Sequence, residues 1–249
     1  MPKVLITDPI DQSGIDILSQ VAQVDQKIGI SDKEFITVIK EYDALMIRSG
    51  TQVTGEIINS SKKLKIIGRA GVGVDNVDVK AATQKGVLVV NSPGGNTIAA
   101  AEHAIAMMLA LSRNIPLAHS STISGKWERK KFVGNELFKK KLGVVGLGKI
   151  GTHVAKVANA LGMEVIGYDP FVSSERAQQM QVKLSELNHL FEVSDYVTLH
   201  LPRTAETENL VDIEILKAMK NSAKLINCAR GGIIDENALA EALNSSLIG

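Results

Sequence analysis

The sequence predicts an α/β protein, and two patterns carry that reading. Short apolar runs at residues 3–7, 44–48, 65–69, 87–91, 141–146, 164–169, 196–201 and 224–228 read as buried strands. Helix-like stretches fall between many of them, at 31–41, 77–86, 150–162, 185–192, 213–220 and 236–244. Strands that are continuously apolar and alternate with helices belong to a parallel sheet covered on both faces.

Taken in order, the first run is Lys3-Val4-Leu5-Ile6-Thr7 and stops at Asp8, too short an apolar stretch for a signal peptide. The next three runs, with their helices, complete a first α/β unit. The cluster Ser92-Pro93-Gly94-Gly95-Asn96 is a turn signal. After it comes a long helical pattern, 97 to about 124, apolar around most of its circumference, as for a helix packed on two sides. A domain boundary is expected here, with one domain over 1–94 and a second over 95–249. The remaining four runs build the second sheet.

Composition narrows the function classes. Of 249 residues, 45% are hydrophobic and 22% charged, with 28 Lys+Arg against 27 Asp+Glu. That excludes a disordered chain, which lacks apolar residues and carries high net charge. A formal net charge of +1 argues against a dedicated nucleic-acid binder. The most apolar stretch, 98–111, contains Glu102 and His103 and is too short to span a bilayer. A single cysteine, Cys228, fits a reducing compartment, and a cytoplasmic location is expected. The five histidines show no metal-ligand spacing, so no metal is expected. His103 is expected to be a core histidine, and His200 to have a structural or supporting role.

The strongest motif is Gly146-Leu147-Gly148-Lys149-Ile150-Gly151, a G-x-G-x-x-G between an apolar strand and a helical pattern. A second strand follows and ends at Asp169, 18 residues after Gly151, near the ~20 expected for a dinucleotide fingerprint. Gly146 permits the tight turn, Gly148 a close backbone approach to pyrophosphate, and Gly151 close helix–strand packing. The helix N-terminus offers unpaired N–H groups to the phosphates. Asp169 can accept hydrogen bonds from ribose hydroxyls and would repel a 2′-phosphate, which favours NAD over NADP. The bland alternative is a glycine-rich turn that holds no nucleotide. Lys149 could touch the pyrophosphate or point to solvent.

Two further signals concern a substrate. Residues 224–228 deliver Arg230 to a strand's carboxyl end, where ligands of open α/β sheets bind. Its guanidinium can hold a carboxylate or carbonyl oxygen in a fork. In the first domain, Arg48-Ser49 at a strand end, the loop Arg69-Ala70-Gly71-Val72-Gly73-Val74-Asp75-Asn76, and Asn96 suit an anion. An Arg69–Asp75 pair that merely holds the loop is the alternative. Asp235 reads as a helix N-cap. The runs at 126–131 and 139–141 read as solvated surface.

Together these residues resemble the D-2-hydroxyacid dehydrogenases over essentially the whole chain. The resemblance runs through Met46-Ile47-Arg48-Ser49, Gly68–Asp78, Asn91–Asn96, Gly146–Gly151, Tyr168-Asp169-Pro170 and Asn227–Asp235. Lys126-Trp127-Glu128-Arg129-Lys130-Lys131-Phe132 and Asn227-Cys228-Ala229-Arg230-Gly231-Gly232 point to the branch acting on phosphoglycerate. The resemblance implies a Rossmann-type doubly wound sheet plus a smaller flavodoxin-like substrate domain. It implies oxidation of 3-phospho-D-glycerate to 3-phosphonooxypyruvate with NAD, opening L-serine biosynthesis. Another 2-hydroxy acid (glyoxylate, hydroxypyruvate or D-lactate), or an NAD(H)-binding module without turnover, are the alternatives.

By the same resemblance, Arg230 would be catalytic, orienting the substrate carboxylate and keto oxygen. Arg48, Ser49, Gly71, Val72, Gly73 and Asn96 would line the substrate side. Gly146, Gly148, Lys149, Ile150, Gly151, Asp169, Cys228 and Ala229 would hold NAD. Lys149 stands where arginine is common in the family, and Leu201 where some members have threonine. A homodimer or higher oligomer through 97–124 is implied, with no nucleic-acid or membrane partner. The family's acid/base histidine and its assisting glutamate lie in motifs that do not occur here. The chain is therefore expected to be C-terminally incomplete, with weak or no turnover by itself.

Overall fold

A computed structural model describes residues 1–248, which fall into two compact units, Met1–Asn96 and a second beginning at Thr97. The first unit holds strands β1 (Lys3–Ile6), β2 (Gln23–Gln26), β3 (Ala44–Ile47), β4 (Ile66–Arg69) and β5 (Leu88–Asn91). All pair in parallel, in the order β2-β1-β3-β4-β5. That is the order of a flavodoxin-like sheet. Its helices start where short polar residues can cap them: Asp11, Ser31, Thr54 and Asp78 each accept a backbone N–H from the first turn. Each such cap contributes about 1 kcal/mol. One face of the sheet buries Leu5, Leu45, Ile47 and Ile67 against Phe35, Ile39, Ile57 and Ile58, and the other buries Val4 and Ile6 against Ile15 and Ala22.

The second unit holds β6 (Lys141–Val145), β7 (Glu164–Tyr168), β8 (Lys183–Leu184), β9 (Tyr196–Leu199) and β10 (Lys224–Asn227). The parallel order is β10-β9-β6-β7-β8. Renumbered within the unit, this is the 3-2-1-4-5 order of a dinucleotide-binding sheet. The α/β class and both sheet types are as the sequence predicts. The helix Thr97–Ser112 presses Ala101, Ala104, Ile105 and Met108 into the core that also buries Val154, Ala155 and Ala158 of the helix Lys149–Ala160. Small residues on both sides let these helices approach closely.

Two expectations are corrected. The long helix over 97–124 is two helices, Thr97–Ser112 and Ile115–Ile123, joined through Asn114 in the left-handed region at φ 53°. Pro116 explains the break: in a continuous helix its ring would clash with the carbonyl of Ser112 and remove a hydrogen bond. His103 is exposed rather than in the core, because it lies on the face of its helix away from Ala101, Ala104 and Ile105. Among the described residues no helix is long and apolar enough to cross a membrane.

Candidate functional site

In the second unit the strand register brings the signalled residues to one edge. Val145 is level with Tyr168 and Leu199, and Leu199 with Asn227. The residues that follow are therefore neighbours at the carboxyl ends: Gly146, Asp169, His200 and Cys228. Gly146 has φ +93°, and a side chain there would also meet the carbonyl of His200 at 2.6 Å. Gly151 faces the Gly146 carbonyl so closely that any Cβ would overlap it. Gly148 is the N-cap of the helix Lys149–Ala160, and nothing lies within 4 Å of where its Cβ would be. The N-terminus of that helix thus opens onto free space, as a diphosphate requires. Lys149 and Ile150 form its first turn, and Ile150 packs against the core.

Asp169 is built into the turn. Its Oδ2 accepts the Leu147 N–H at 2.8 Å and its Oδ1 the Phe171 N–H at 2.9 Å. Each carboxylate oxygen has a second lone pair, so the group can still accept hydrogen bonds from a ribose diol. His200 is held by Thr198 Oγ1 at 3.0 Å from its Nε2, and burial brings its pKa down to about 4. The imidazole is therefore neutral at pH 7, already engaged, and not tuned to a general base near neutrality.

Past β10 the chain turns around the Asn227 side chain. Asn227 Oδ1 accepts the Ala229 N–H at 3.0 Å, and its Nδ2 donates to the Arg230 carbonyl at 2.8 Å. Arg230 Nη1 donates to the Ala229 carbonyl at 2.8 Å. Cys228 is half-buried, and burial raises its thiol pKa, so it stays protonated and adds no reactive thiolate. Among the described residues no cluster of three or more His, Cys, Asp or Glu could hold a metal ion.

The first unit has its own concavity, of about 470 Å³, at the carboxyl ends of β3, β4 and β5. Ile47, Arg69 and Asn91 are in register, so Arg48 and Ser92 stand one residue past the level of Arg69, and all three line the concavity. Ser49, Gly71, Gly95 and Asn96 complete the lining with Ala70. Two guanidiniums and no carboxylate line it, so it selects anions. Val72 and Gly73, expected on this side, lie in the same loop but do not line the concavity; the Val72 carbonyl accepts from Asn91 Nδ2.

Arg69, which the sequence places in the anion-suited loop without a role of its own, lines the concavity itself. Its guanidinium lies against Gly71, in space that any side chain at position 71 would fill. Its Nε is buried with no hydrogen-bond partner among the described residues. An arginine closing a strand before a glycine loop was the available signal, the same one that singled out Arg230.

Comparison with known proteins gives a consistent picture. The sequence model of the D-isomer specific 2-hydroxyacid dehydrogenase NAD-binding domain matches residues 105–249. The D-3-phosphoglycerate dehydrogenase of Synechocystis sp. is 61% identical over 249 residues, covering all of this chain and 45% of that protein. The D-3-phosphoglycerate dehydrogenase of Archaeoglobus fulgidus is 51% identical over 247 residues, covering 99% of this chain and 47% of that protein. The chain thus spans about half the length of these relatives. Among solved structures, D-lactate dehydrogenase from Aquifex aeolicus, complexed with NAD and lactic acid, superposes with a TM-score of 0.87 at 27% identity, covering 98% of this chain and 74% of that one.

Proposed function

The chain belongs to the D-isomer specific 2-hydroxyacid dehydrogenase family, with an NAD-binding domain over residues 105–249, and from that premise we propose that the whole protein oxidises 3-phospho-D-glycerate at C2, opening L-serine biosynthesis. The observation that carries the substrate assignment is the pair Arg48 and Arg69 in a concavity without acids. A plain 2-hydroxy acid offers one carboxylate, which a single arginine fork can hold. A phosphorylated acid carries a second, dianionic group and calls for more positive charge.

Within this reading the units divide the work. Residues 1–94 form the substrate domain and 95–249 the cofactor domain. The turn from Gly146 to Gly151 holds the pyrophosphate of NAD, and Asp169 accepts the adenosine ribose hydroxyls. NAD, when bound, would supply the acceptor for the hydride that leaves C2, and the hydroxyl proton would pass to the acid/base histidine that the family resemblance assigns to the rest of the whole protein. Arg230 fixes the substrate carboxylate and draws charge onto the C2 oxygen as it becomes a carbonyl. Cys228 and Ala229 flank the nicotinamide half. The protonated thiol and the methyl of Ala229 offer no competing nucleophile.

The experiment that tests the substrate assignment is Arg69→Ala in the full-length protein. A charge-assisted contact to phosphate contributes about 1.5–3 kcal/mol, or roughly 10- to 100-fold. The value of kcat/KM for 3-phosphoglycerate should fall by about that factor, while activity on D-glycerate stays within about threefold. Equal losses on both acids, or none on either, would remove phosphate from the concavity. A wild-type preference for an unphosphorylated acid would move the protein to the glyoxylate or lactate type.

Asp169→Ala tests the cofactor reading. Removing the carboxylate removes its repulsion of a 2′-phosphate, so the kcat/KM ratio for NAD over NADP should fall about tenfold or more. The loss should fall on the NAD side, because NAD offers Asp169 a free 2′-hydroxyl, while loss of the Leu147 N–H contact weakens both cofactors alike. Initial rates with both cofactors give the ratio, and an unchanged one takes Asp169 away from the ribose.

A further inference from the structure

The short segment that follows β3 carries Arg48 and Ser49 to the concavity, and two buried side chains grip its backbone. Asp8, at the end of β1, accepts the Arg48 N–H at 2.6 Å and the Thr51 N–H at 3.1 Å on a single oxygen, Oδ2. Asn76, beyond the glycine loop, donates from Nδ2 to the carbonyls of Arg48 at 2.7 Å and Thr51 at 2.6 Å. Asp8 is 7% exposed and Asn76 8%. Four hydrogen bonds therefore pin the two ends of one loop.

The fit is close in a second, independent way. A Cβ at position 50 would stand 2.7 Å from Asp8 Oδ1, so the carboxylate occupies the space that glycine leaves open. Neither Asp8 nor Asn76 lines the concavity. Neither caps a helix, and neither belongs to a strand. Burying a carboxylate and a carboxamide is expensive unless each is well hydrogen-bonded, and apolar residues would fill the same volume at lower cost. The polar pair therefore calls for a reason beyond packing, and the loop it grips carries the anion-facing arginine.

We propose that Asp8 and Asn76 are positioning residues: by clamping the 48–51 loop they set Arg48 for the phosphorylated acid. The proposal rests on the substrate reading given above. The clamp acts through Arg48 and touches no reacting atom, so its loss should weaken substrate binding more than turnover at saturation.

The test is a double-mutant cycle in the full-length protein, read as KM and kcat for 3-phosphoglycerate and as Kd for NADH. Asp8→Ala should raise KM about tenfold, leave kcat within about threefold and leave the NADH Kd within about twofold. Asp8→Asn should return KM to within about twofold of wild type, since an amide oxygen can take the same two N–H groups. With Arg48 already changed to alanine, adding Asp8→Ala should move KM by less than about twofold. Multiplying losses in that background overturn the proposal, and so does a lowered melting temperature with KM unchanged. If Asp8→Ala does not fold, Asn76→Ser, which leaves both Asp8 bonds in place, enters the same cycle with the same expectations. A wild-type protein that prefers an unphosphorylated acid overturns the substrate assignment alone, and the cycle run on that acid still decides the clamp.

Discussion

Arg230→Gln should lower kcat/KM for 3-phosphoglycerate by about 10²–10³ and leave the NADH Kd within about threefold. Glutamine keeps much of the length and one amide donor. It loses the charge and the planar fork, the two properties that matter at a carboxylate and a developing carbonyl. The backbone that presents residue 230 keeps two of its supports, because Asn227 makes the turn with the Ala229 N–H and the Arg230 carbonyl and both contacts survive the change, while the Arg230 Nη1 bond to the Ala229 carbonyl is lost. The loss is therefore one of function rather than of local fold, and the melting temperature should hold. Steady-state rates set against an NADH fluorescence titration separate the terms. NADH binding lost in parallel with turnover would reassign Arg230 to the cofactor.

The central strands are legible because the sheets bury them on both faces, and the edge strands β5 and β10 because Leu88, Val89 and Val90, and Leu225 and Ile226, keep them apolar. Val144, Val145, Val197, Leu199, Leu5 and Ile67 form continuous apolar runs because helices cover them above and below. The two strands that escape notice, β2 and β8, are edges. Gln23-Val24-Asp25-Gln26 pairs on one side only and need not be apolar, and Lys183-Leu184 is two residues long. Residue type is likewise a weak guide to a break caused by one proline, so the pattern at 97–124 reads as a single helix until Pro116 is weighed.

The site divides along a similar line. Residues proposed to act where they stand, at a strand's end beside glycines, can be read from order alone: Gly146, Gly148, Asp169, Arg48 and Arg230. Residues that act across the fold cannot. The Asp8–Arg48 contact joins positions 40 apart, and the Asn76–Arg48 contact positions 28 apart. Their meaning depends on β1, β3 and β4 lying side by side, which the order of residues does not display. Arg69 lies between these cases. Its position was readable, but its freedom to serve an anion depended on where Gly71 left room.

The glycine turn makes a sharper prediction, because two of its glycines carry opposite demands. At Gly151 a methyl group would overlap the Gly146 carbonyl, a backbone atom with little freedom to move. That turn is fixed on both sides by the Gly146 N–H to the Tyr168 carbonyl at 2.8 Å and the Leu147 N–H to Asp169 at 2.8 Å. Relief must come from displacing the helix Lys149–Ala160, which Val154, Ala155 and Ala158 hold in the core. Overpacking of this kind costs about 1–3 kcal/mol, a loss of several degrees in melting temperature at roughly 2–4 °C per kcal/mol. Gly151→Ala should therefore lower stability and weaken NADH at the same time. At Gly148 the backbone is extended, with φ −67°, and a methyl group would meet nothing within 4 Å. Gly148→Ala should leave the melting temperature within about 1 °C, yet raise the NADH Kd tenfold or more, since the methyl would stand where the backbone must approach pyrophosphate. Thermal melts with and without NADH, beside a fluorescence titration, resolve both variants. Undiminished NADH binding by Gly148→Ala would mean that the open space at this helix N-terminus is not where the diphosphate lies.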